Sequence, residues 1–185
     1  MRVIAGTARS LPLKTPDGMD TRPTTDRIKE TLFNMLQTDV AGAVFLDLFS
    51  GSGGIAIEAL SRGAARAYLV ENSRQALKCI QENLHFTKME DRAVVLGQDV
   101  FAALSQIHEK QVNIIFMDPP YHQQWEQRVL ERLADKPYVT QETKIIVEAS
   151  LDTDFSYLEE IGFAIRKEKV YKTNKHVFVG RKTVS

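Results

Sequence analysis

The alternation of short apolar runs with amphipathic segments between residues 44 and 161 is the feature that most constrains the fold of this chain. Apolar runs rich in Val, Ile, Leu and Phe predict buried strands, and segments with an apolar residue every third or fourth position predict helices. Strands that alternate with helices at this spacing form a parallel, doubly wound sheet, because right-handed crossovers join them. The pattern therefore predicts an α/β fold.

The predicted elements can be placed along the sequence with approximate bounds. The predicted strands of the alternation are 44–48, 66–70, 93–96, 112–117 and 144–148. The predicted helices are 54–62, 73–86, 100–108, 124–134 and a mostly helical stretch over 151–161. Two final strands, 163–171 and 176–182, are joined by a short turn and must be antiparallel to each other.

The N-terminal region precedes this alternation and predicts a small extension. Residues 2–15 predict a β-hairpin, and Thr24 or Thr25 can cap a helix that extends to residue 37. With 185 residues and no long linker, we predict one domain with an extension over residues 1–40 and a core over 41–185.

Composition and charge exclude several classes of protein. No apolar stretch is long enough to cross a bilayer, no secretory signal is visible, and one cysteine, Cys79, cannot form an internal disulfide. A cytoplasmic monomer without a metal is therefore expected. Residues 166–185 carry seven Lys or Arg against one Glu, although the formal net charge is zero. Such a basic end favours a surface for a polyanion, and a solvated lysine-rich hairpin is the alternative.

A glycine-rich loop follows the first predicted strand of the core and leads into a helix. Its residues Phe49, Ser50, Gly51, Ser52 and Gly53 let the backbone pass close to a ligand. The loop also fits the loose dinucleotide fingerprint. Asp47 at its entrance would repel a pyrophosphate, and it suits a ligand with an ammonium group, such as S-adenosylmethionine. A tight turn without a ligand is the alternative.

Acidic residues after the next two strands extend this predicted cofactor site. Glu71, followed by Asn72, can accept hydrogen bonds from a ribose diol. Asp99 can accept from an adenine amino group, with Val100 against the ring. Asp99 can also cap the helix that follows, and the two roles can coexist.

The tetrapeptide Asp118-Pro119-Pro120-Tyr121 ends the strand predicted at 112–117. Two consecutive prolines cannot continue a ladder of hydrogen bonds. The strand therefore ends with a carboxylate, carbonyls and an aromatic ring at its carboxyl edge, where open α/β sheets bind ligands. These acceptors can hold an exocyclic amine, and Tyr121 can stack on the base that bears it. A strand-ending turn with a surface tyrosine is the alternative.

With these motifs in this order, the chain resembles the class I S-adenosylmethionine-dependent methyltransferases. The double-proline motif resembles that of the amino-methyltransferases, which modify exocyclic nitrogens of bases. Segments 2–6, 21–34 and 46–53 are similar to the bacterial 16S ribosomal RNA guanine-N2 methyltransferases of the RsmD family. Residues 22–34 are the most family-specific part. The final hairpin departs from the pattern, since Lys172 follows Tyr171 where many members have glycine.

The resemblance implies a seven-stranded sheet, S-adenosylmethionine at the Asp47 loop, and methylation of a guanine N2 in 16S rRNA or a small-subunit assembly intermediate. It implies catalytic roles for Asp118, Pro119, Pro120 and Tyr121. It also favours RNA contacts by the N-terminal region, and the candidate RNA-binding residues are Arg9, Lys14, Arg22, Thr24, Lys172 and Lys175.

Three alternatives stay open. An adenine-N6 methyltransferase is one, because the double-proline motif does not choose the base. A nucleotide-binding oxidoreductase on the same type of fold is another, although Asp47 argues against it. The third is a non-catalytic RNA-binding module that retains a cofactor pocket.

Overall fold

The computed structural model describes residues 1–17 and 26–183, and in them seven strands form one sheet in the order β3-β2-β1-β4-β5-β7-β6. The strands are β1 (Val44–Leu48), β2 (Arg66–Val70), β3 (Ala93–Leu96), β4 (Ile114–Met117), β5 (Lys144–Ser150), β6 (Phe163–Val170) and β7 (Asn174–Arg181). Strands β1 to β5 pair in parallel, and β7 is antiparallel to both β5 and β6. This topology confirms the predicted doubly wound, mostly parallel sheet.

Helices cover both faces of the sheet. They are α1 (Asp26–Met35), α2 (Gly54–Ser61), α3 (Arg74–Thr87), α4 (Val100–Leu104) and α5 (Trp125–Ala134). One apolar core includes residues of α1, α2 and α3, and the other includes residues of α4 and α5. Burial on both faces explains why the central strands are almost continuously apolar. Across the described residues, none of these helices has the length and apolar character needed to cross a bilayer.

The segment predicted as mostly helical over 151–161 is irregular, and only Leu158–Ile161 forms a 3-10 turn. The carboxylate of Asp154 accepts hydrogen bonds from the backbone N–H and the hydroxyl of Ser156, at 3.1 and 2.7 Å. Local bonds of this kind compete with the helical hydrogen-bond ladder. The helical prediction for this segment was therefore wrong.

Helix α4 is also shorter than the predicted 100–108, because it ends at Leu104. Beyond it, the carboxylate of Glu109 accepts from Arg66 Nη1 at 2.7 Å and from the hydroxyl of Tyr68 at 2.9 Å. These bonds hold the chain against β2 and away from a continued helical path.

A buried carboxylate on α2 fixes the N-terminal extension to the core. Glu58 is fully buried and accepts from the backbone N–H groups of Ile4 and Ala5, at 2.9 and 3.1 Å. Lys29 of α1 donates to the carbonyl of Arg2 at 2.6 Å. The predicted hairpin at residues 2–15 is present as a single antiparallel bridge between Arg2 and Pro12.

Candidate active site

The pairing of β1 with β2 and β4 gathers the predicted site residues at one edge of the sheet. Leu48 at the end of β1 pairs with Val70 of β2 and with Met117 of β4. The glycine-rich loop, Glu71 and Asp118 therefore leave three neighbouring strands side by side. This carboxyl edge is where open α/β sheets bind ligands.

The loop between β1 and α2 has an unusual backbone. Phe49 is a non-glycine residue with φ of 62°, a conformation that costs energy and is concentrated at functional sites. Gly53, at the N-cap of α2, has φ of 82°, and a Cβ atom there would lie 3.1 Å from Leu69 Cδ2. A side chain at this position would strain the backbone and crowd the core.

Asp47 presents a buried carboxylate beneath this loop. It is 2% exposed and accepts a hydrogen bond from Ser50 Oγ at 2.8 Å. The pKa of Asp47 is raised to about 7, chiefly by burial. The nearby charges of Asp118 and Glu71 act in the same direction, and the hydrogen bonds from Ser50 and the Ala56 backbone oppose the shift. A cationic group beside these three acids would stabilise their charge. The acids therefore fit the ammonium and sulfonium groups of S-adenosylmethionine.

Glu71 is fixed by three backbone donors. Its Oε1 accepts from Gly51 N at 2.9 Å, and its Oε2 accepts from Asn72 N and Ser73 N at 3.0 and 2.9 Å. A carboxylate offers about four lone-pair sites, so a ribose hydroxyl can still donate to an oriented acceptor here.

Asp99 has the predicted capping role. Its Oδ1 accepts from the backbone N–H groups of Phe101 and Ala102, at 2.9 and 3.1 Å. This fixes the first turn of α4 and leaves Val100 buried beneath the cap. Its Oδ2 remains an acceptor at the place where the sequence predicted an adenine contact.

An aromatic wall borders this part of the site. Trp125 stacks on Phe101 at 5.8 Å between ring centroids and meets Phe49 edge-on at the same distance. The guanidinium of Arg128 lies 4.9 Å from the Phe101 centroid and 4.8 Å from that of Trp125. The wall links α4 and α5 to the loop after β1.

The double-proline motif begins where β4 ends, at Met117, as predicted. Asp118 and Tyr121 are half-buried, Pro119 is buried and Pro120 is exposed. The rings of Tyr121 and His122 lie 6.2 Å apart in an edge-on arrangement. The carboxylate and the ring are thus partly accessible beside the loop after β1.

A second polar pair at this edge was not predicted from the sequence. Glu148 of β5 and His176 of β7 are paired in register, and Glu148 Oε1 lies 2.7 Å from His176 Nε2. A carboxylate at the carboxyl end of the otherwise apolar run Ile145-Ile146-Val147 was a signal for a site residue. No group of three or more His, Cys, Asp or Glu within residues 1–17 and 26–183 could hold a metal ion.

The predicted basic residues of the final hairpin differ in their surroundings. Lys172 is exposed in the turn between β6 and β7, at the same edge as Asp118. Lys175 lies 3.0 Å from a carboxylate oxygen of Glu168, and its side chain is 12% exposed. Lys175 is therefore already engaged within the protein.

The predicted N-terminal basic residues are spread more widely. Lys14 is exposed and forms a salt bridge of 3.1 Å with Glu82 of α3. Arg9 follows Ala8, whose backbone N–H donates to Ser61 at the end of α2 opposite the loop. The structure thus separates Arg9 from the site. Two further predicted residues lie outside the described residues: Arg22 and Thr24.

Comparison with known proteins connects this geometry to a family. A family model described as "Conserved hypothetical protein 95" matches residues 1–180. Ribosomal RNA small subunit methyltransferase D of Escherichia coli K12 is 35% identical over 172 residues, which cover 92% of this chain and 84% of that protein. The protein of the same name from Haemophilus influenzae is 33% identical over 156 residues, covering 82% and 80%.

Solved structures agree with this match. An Escherichia coli structure assigned as the methyltransferase yhhF has a TM-score of 0.83 at 32% identity, and the match covers 100% of this chain and 99% of that one. The resemblance drawn from the motifs is thereby confirmed. The chain belongs to the RsmD family of ribosomal RNA small subunit methyltransferases.

Proposed function

We propose that this protein transfers the methyl group of S-adenosylmethionine to the exocyclic N2 of a guanine in 16S rRNA, within the small subunit or an assembly intermediate. The observation that carries the proposal is the position of Asp118, directly after a strand that pairs with the strand bearing Asp47. An acceptor for an amine and a group of acids that suits a cationic ligand are adjacent, as in-line transfer to nitrogen requires.

The residues around the loop after β1 fit S-adenosylmethionine, which supplies an electrophilic methyl group on its sulfonium when bound. Asp47 would offset the ligand's positive charge, and Glu71 with Asn72 would hold the ribose hydroxyls. Asp99 would accept from the adenine amine, with Val100 against the ring. The backbone of the loop would contact the methionine part through Phe49, Ser50, Gly51, Ser52 and Gly53.

Asp118 and its neighbours would prepare the amine for attack. Guanine N2 is a poor nucleophile because its lone pair is delocalised into the ring. The Asp118 carboxylate and the Pro119 carbonyl would accept from its two N–H bonds and favour a lone pair directed at the methyl group. The thioether product would leave with the electron pair of the broken C–S bond, and Asp118 would accept the N2 proton as or after the methyl group is transferred. Pro120 stiffens the turn.

The target base must be unpaired or flipped, because a base stacked in a helix cannot reach such a pocket. Tyr121 would stack on its face. Lys172 would contact phosphate at the same edge, and Arg22 with Thr24 would contribute from the N-terminal extension, residues 1–40. We expect one copy of the chain to act in the cytoplasm, where its rRNA substrate is assembled.

The test is methyl transfer from labelled S-adenosylmethionine to small subunits from a strain that lacks this protein, followed by nucleoside mass spectrometry. The intact protein and the control Asp91→Ala, an exposed acid away from the site, should form N2-methylguanosine. Asp118→Ala should lower the rate by about 10²- to 10⁴-fold, the range for loss of a positioned proton acceptor.

Two other outcomes would point elsewhere. N6-methyladenosine would identify the adenine-N6 alternative. Binding of S-adenosylmethionine without any methylated product would favour the non-catalytic RNA-binding alternative.

A further inference from the structure

We infer that Glu148, oriented by His176, accepts the N1–H of the target base and thereby selects guanine, and this deepens and rests on the proposed function. Glu148 is then a specificity-determining residue, and His176 is a positioning residue that acts through it. Both residues lie at the edge of the sheet that presents Asp118.

Strand register places Glu148 next to Asp118. Met117 of β4 pairs with Val147 of β5, so Asp118 and Glu148 are the next residues on adjacent strands. Adjacent strands lie about 4.8 Å apart, and side chains at equivalent positions point to the same face. The carboxylates of Asp118 and Glu148 are therefore spaced so that they can accept from two neighbouring donors on one edge of a planar base.

Glu148 and His176 form a buried pair in close contact. Glu148 Oε1 lies 2.7 Å from His176 Nε2, and the two residues are 5% and 0% exposed. Burial lowers the pKa of His176 to about 4, although the charge of Asp118 opposes this shift. An ionised carboxylate can only accept a hydrogen bond, so the close contact places a proton on His176 Nε2. His176 thus donates to Glu148 and holds its carboxylate in one orientation.

Two buried polar atoms beside this pair have no hydrogen-bond partner within the part of the chain that the structure describes: His176 Nδ1 and the hydroxyl of Tyr171. The rings of these residues lie 5.2 Å apart. Buried polar groups in folded proteins are nearly always satisfied, so such atoms point to a polar ligand. The polar edge of a base beside Asp118 would bring hydrogen-bonding groups to this cluster.

The chemistry of the base then decides which one fits. Beside its exocyclic amine, guanine has an N1–H donor, whereas adenine and cytosine have a ring nitrogen with a lone pair. A carboxylate accepts from the guanine donor and repels the lone pair of the other two bases. A site that holds the amine with Asp118 and the adjacent ring position with Glu148 therefore favours guanine.

The test compares guanine with 2-aminopurine at the mapped target position of RNA in reconstituted small subunits. 2-Aminopurine keeps the amine at C2 but has a lone pair at N1. Glu148→Gln should lower kcat/KM for guanine by about 10- to 100-fold, the range for one good base contact. The same substitution should also lower the ratio of kcat/KM for guanine to kcat/KM for 2-aminopurine, because the introduced amide can donate to N1 of 2-aminopurine. The exposed-site control Glu160→Gln should change neither value.

The melting temperature of each variant and its calorimetric Kd for S-adenosylmethionine are measured on the same preparations. Both values should match those of the intact protein. If Glu148→Gln does not fold, His176→Gln and His176→Leu replace it. His176→Gln retains a donor near the Nε2 position and should preserve the kcat/KM ratio of guanine to 2-aminopurine. His176→Leu has no donor there and should lower this ratio.

The outcomes separate this inference from the proposed function. A folded Glu148→Gln variant that forms N2-methylguanosine with an unchanged kcat/KM ratio of guanine to 2-aminopurine would overturn the role of Glu148. The proposed function would remain intact. Absence of N2-methylguanosine with the intact protein would overturn both.

Discussion

Lys29 Nζ lies 3.3 Å from Glu58 Oε1, and the two side chains are 1% and 0% exposed. Burial lowers the pKa of Lys29, while the charge of Glu58 and a hydrogen bond to it oppose that shift. Arg62 Nε lies 2.8 Å from the other oxygen of Glu58. One buried carboxylate thus joins α1, α2 and the N-terminal backbone.

Loss of Glu58 should destabilise the protein strongly. Glu58→Ala leaves the ammonium of Lys29 buried without its carboxylate, and such a loss costs about 3 to 5 kcal/mol of unfolding free energy. Lys29→Met should cost less, because Glu58 keeps Arg62 and two backbone donors. Urea denaturation measures both, with the exposed Glu30→Ala as a control. Equal losses for the two buried substitutions would contradict this account.

Affinity for S-adenosylmethionine should depend on pH through Asp47. Its pKa of about 7 means that the carboxylate is mostly protonated at pH 6 and mostly ionised at pH 8. If the ionised form holds the cationic ligand, affinity should rise about tenfold over this interval. Calorimetric titration at several pH values measures the effect. Asp47→Asn should bind weakly and without this pH dependence, and a pH-dependent variant would exclude Asp47 as the cause.

The same group should affect the stability of the ligand-free protein in the opposite direction. The pKa of Asp47 is raised from 3.8 to about 7, so the folded state binds more protons than the unfolded state between these values. The contribution of Asp47 to stability therefore falls as pH rises from about 4 to 7. Asp47→Asn should become more stable relative to the intact protein over that range in urea denaturation. If the difference in unfolding free energy between the two proteins stays constant over this pH range, the carboxyl group of Asp47 does not cause the pH dependence.

Trp125, the only tryptophan, should report cofactor binding by its fluorescence. It contacts Phe49, which is itself a predicted cofactor contact, and Phe101, which directly follows the predicted contact Val100. Titration with S-adenosylhomocysteine should change its emission with the same Kd as calorimetry. Trp125→Phe should abolish the signal. Unchanged emission on calorimetrically confirmed binding would place the adenine away from this wall.

Lys172 and Lys175 should differ in RNA binding. Lys172 is exposed, whereas Lys175 pairs with Glu168 and also lies 5.6 Å from the Phe155 ring centroid. Lys172→Ala should reduce the slope of log affinity against log salt by about one, since one phosphate contact is lost. Lys175→Ala should leave the slope unchanged and lower the melting temperature. A reduced slope for Lys175→Ala would show that it leaves Glu168 to bind phosphate.

Local signals in the sequence identified the parts of the site that follow individual strands. Asp47 interrupts the apolar run of β1 and Asp118 directly follows that of β4, so the pairing of these two strands brings them together. The partnership of Glu148 with His176 was not predictable in this way, because it depends on the antiparallel register of β5 with β7. The partnership of Lys29 with Glu58 depends likewise on how two helices pack.

The attachment of the N-terminal segment to α2 has a consequence for synthesis. Ser61 Oγ donates to the carbonyl of Ala5 at 2.6 Å and accepts from Ala8 N at 2.9 Å, bonds that span 56 and 53 residues. On the ribosome, these early residues therefore emerge long before their partners and must wait for α2 to be translated. The segment around Ala5 and Ala8 therefore cannot complete its contacts with the core until the helix that follows the glycine-rich loop has been made.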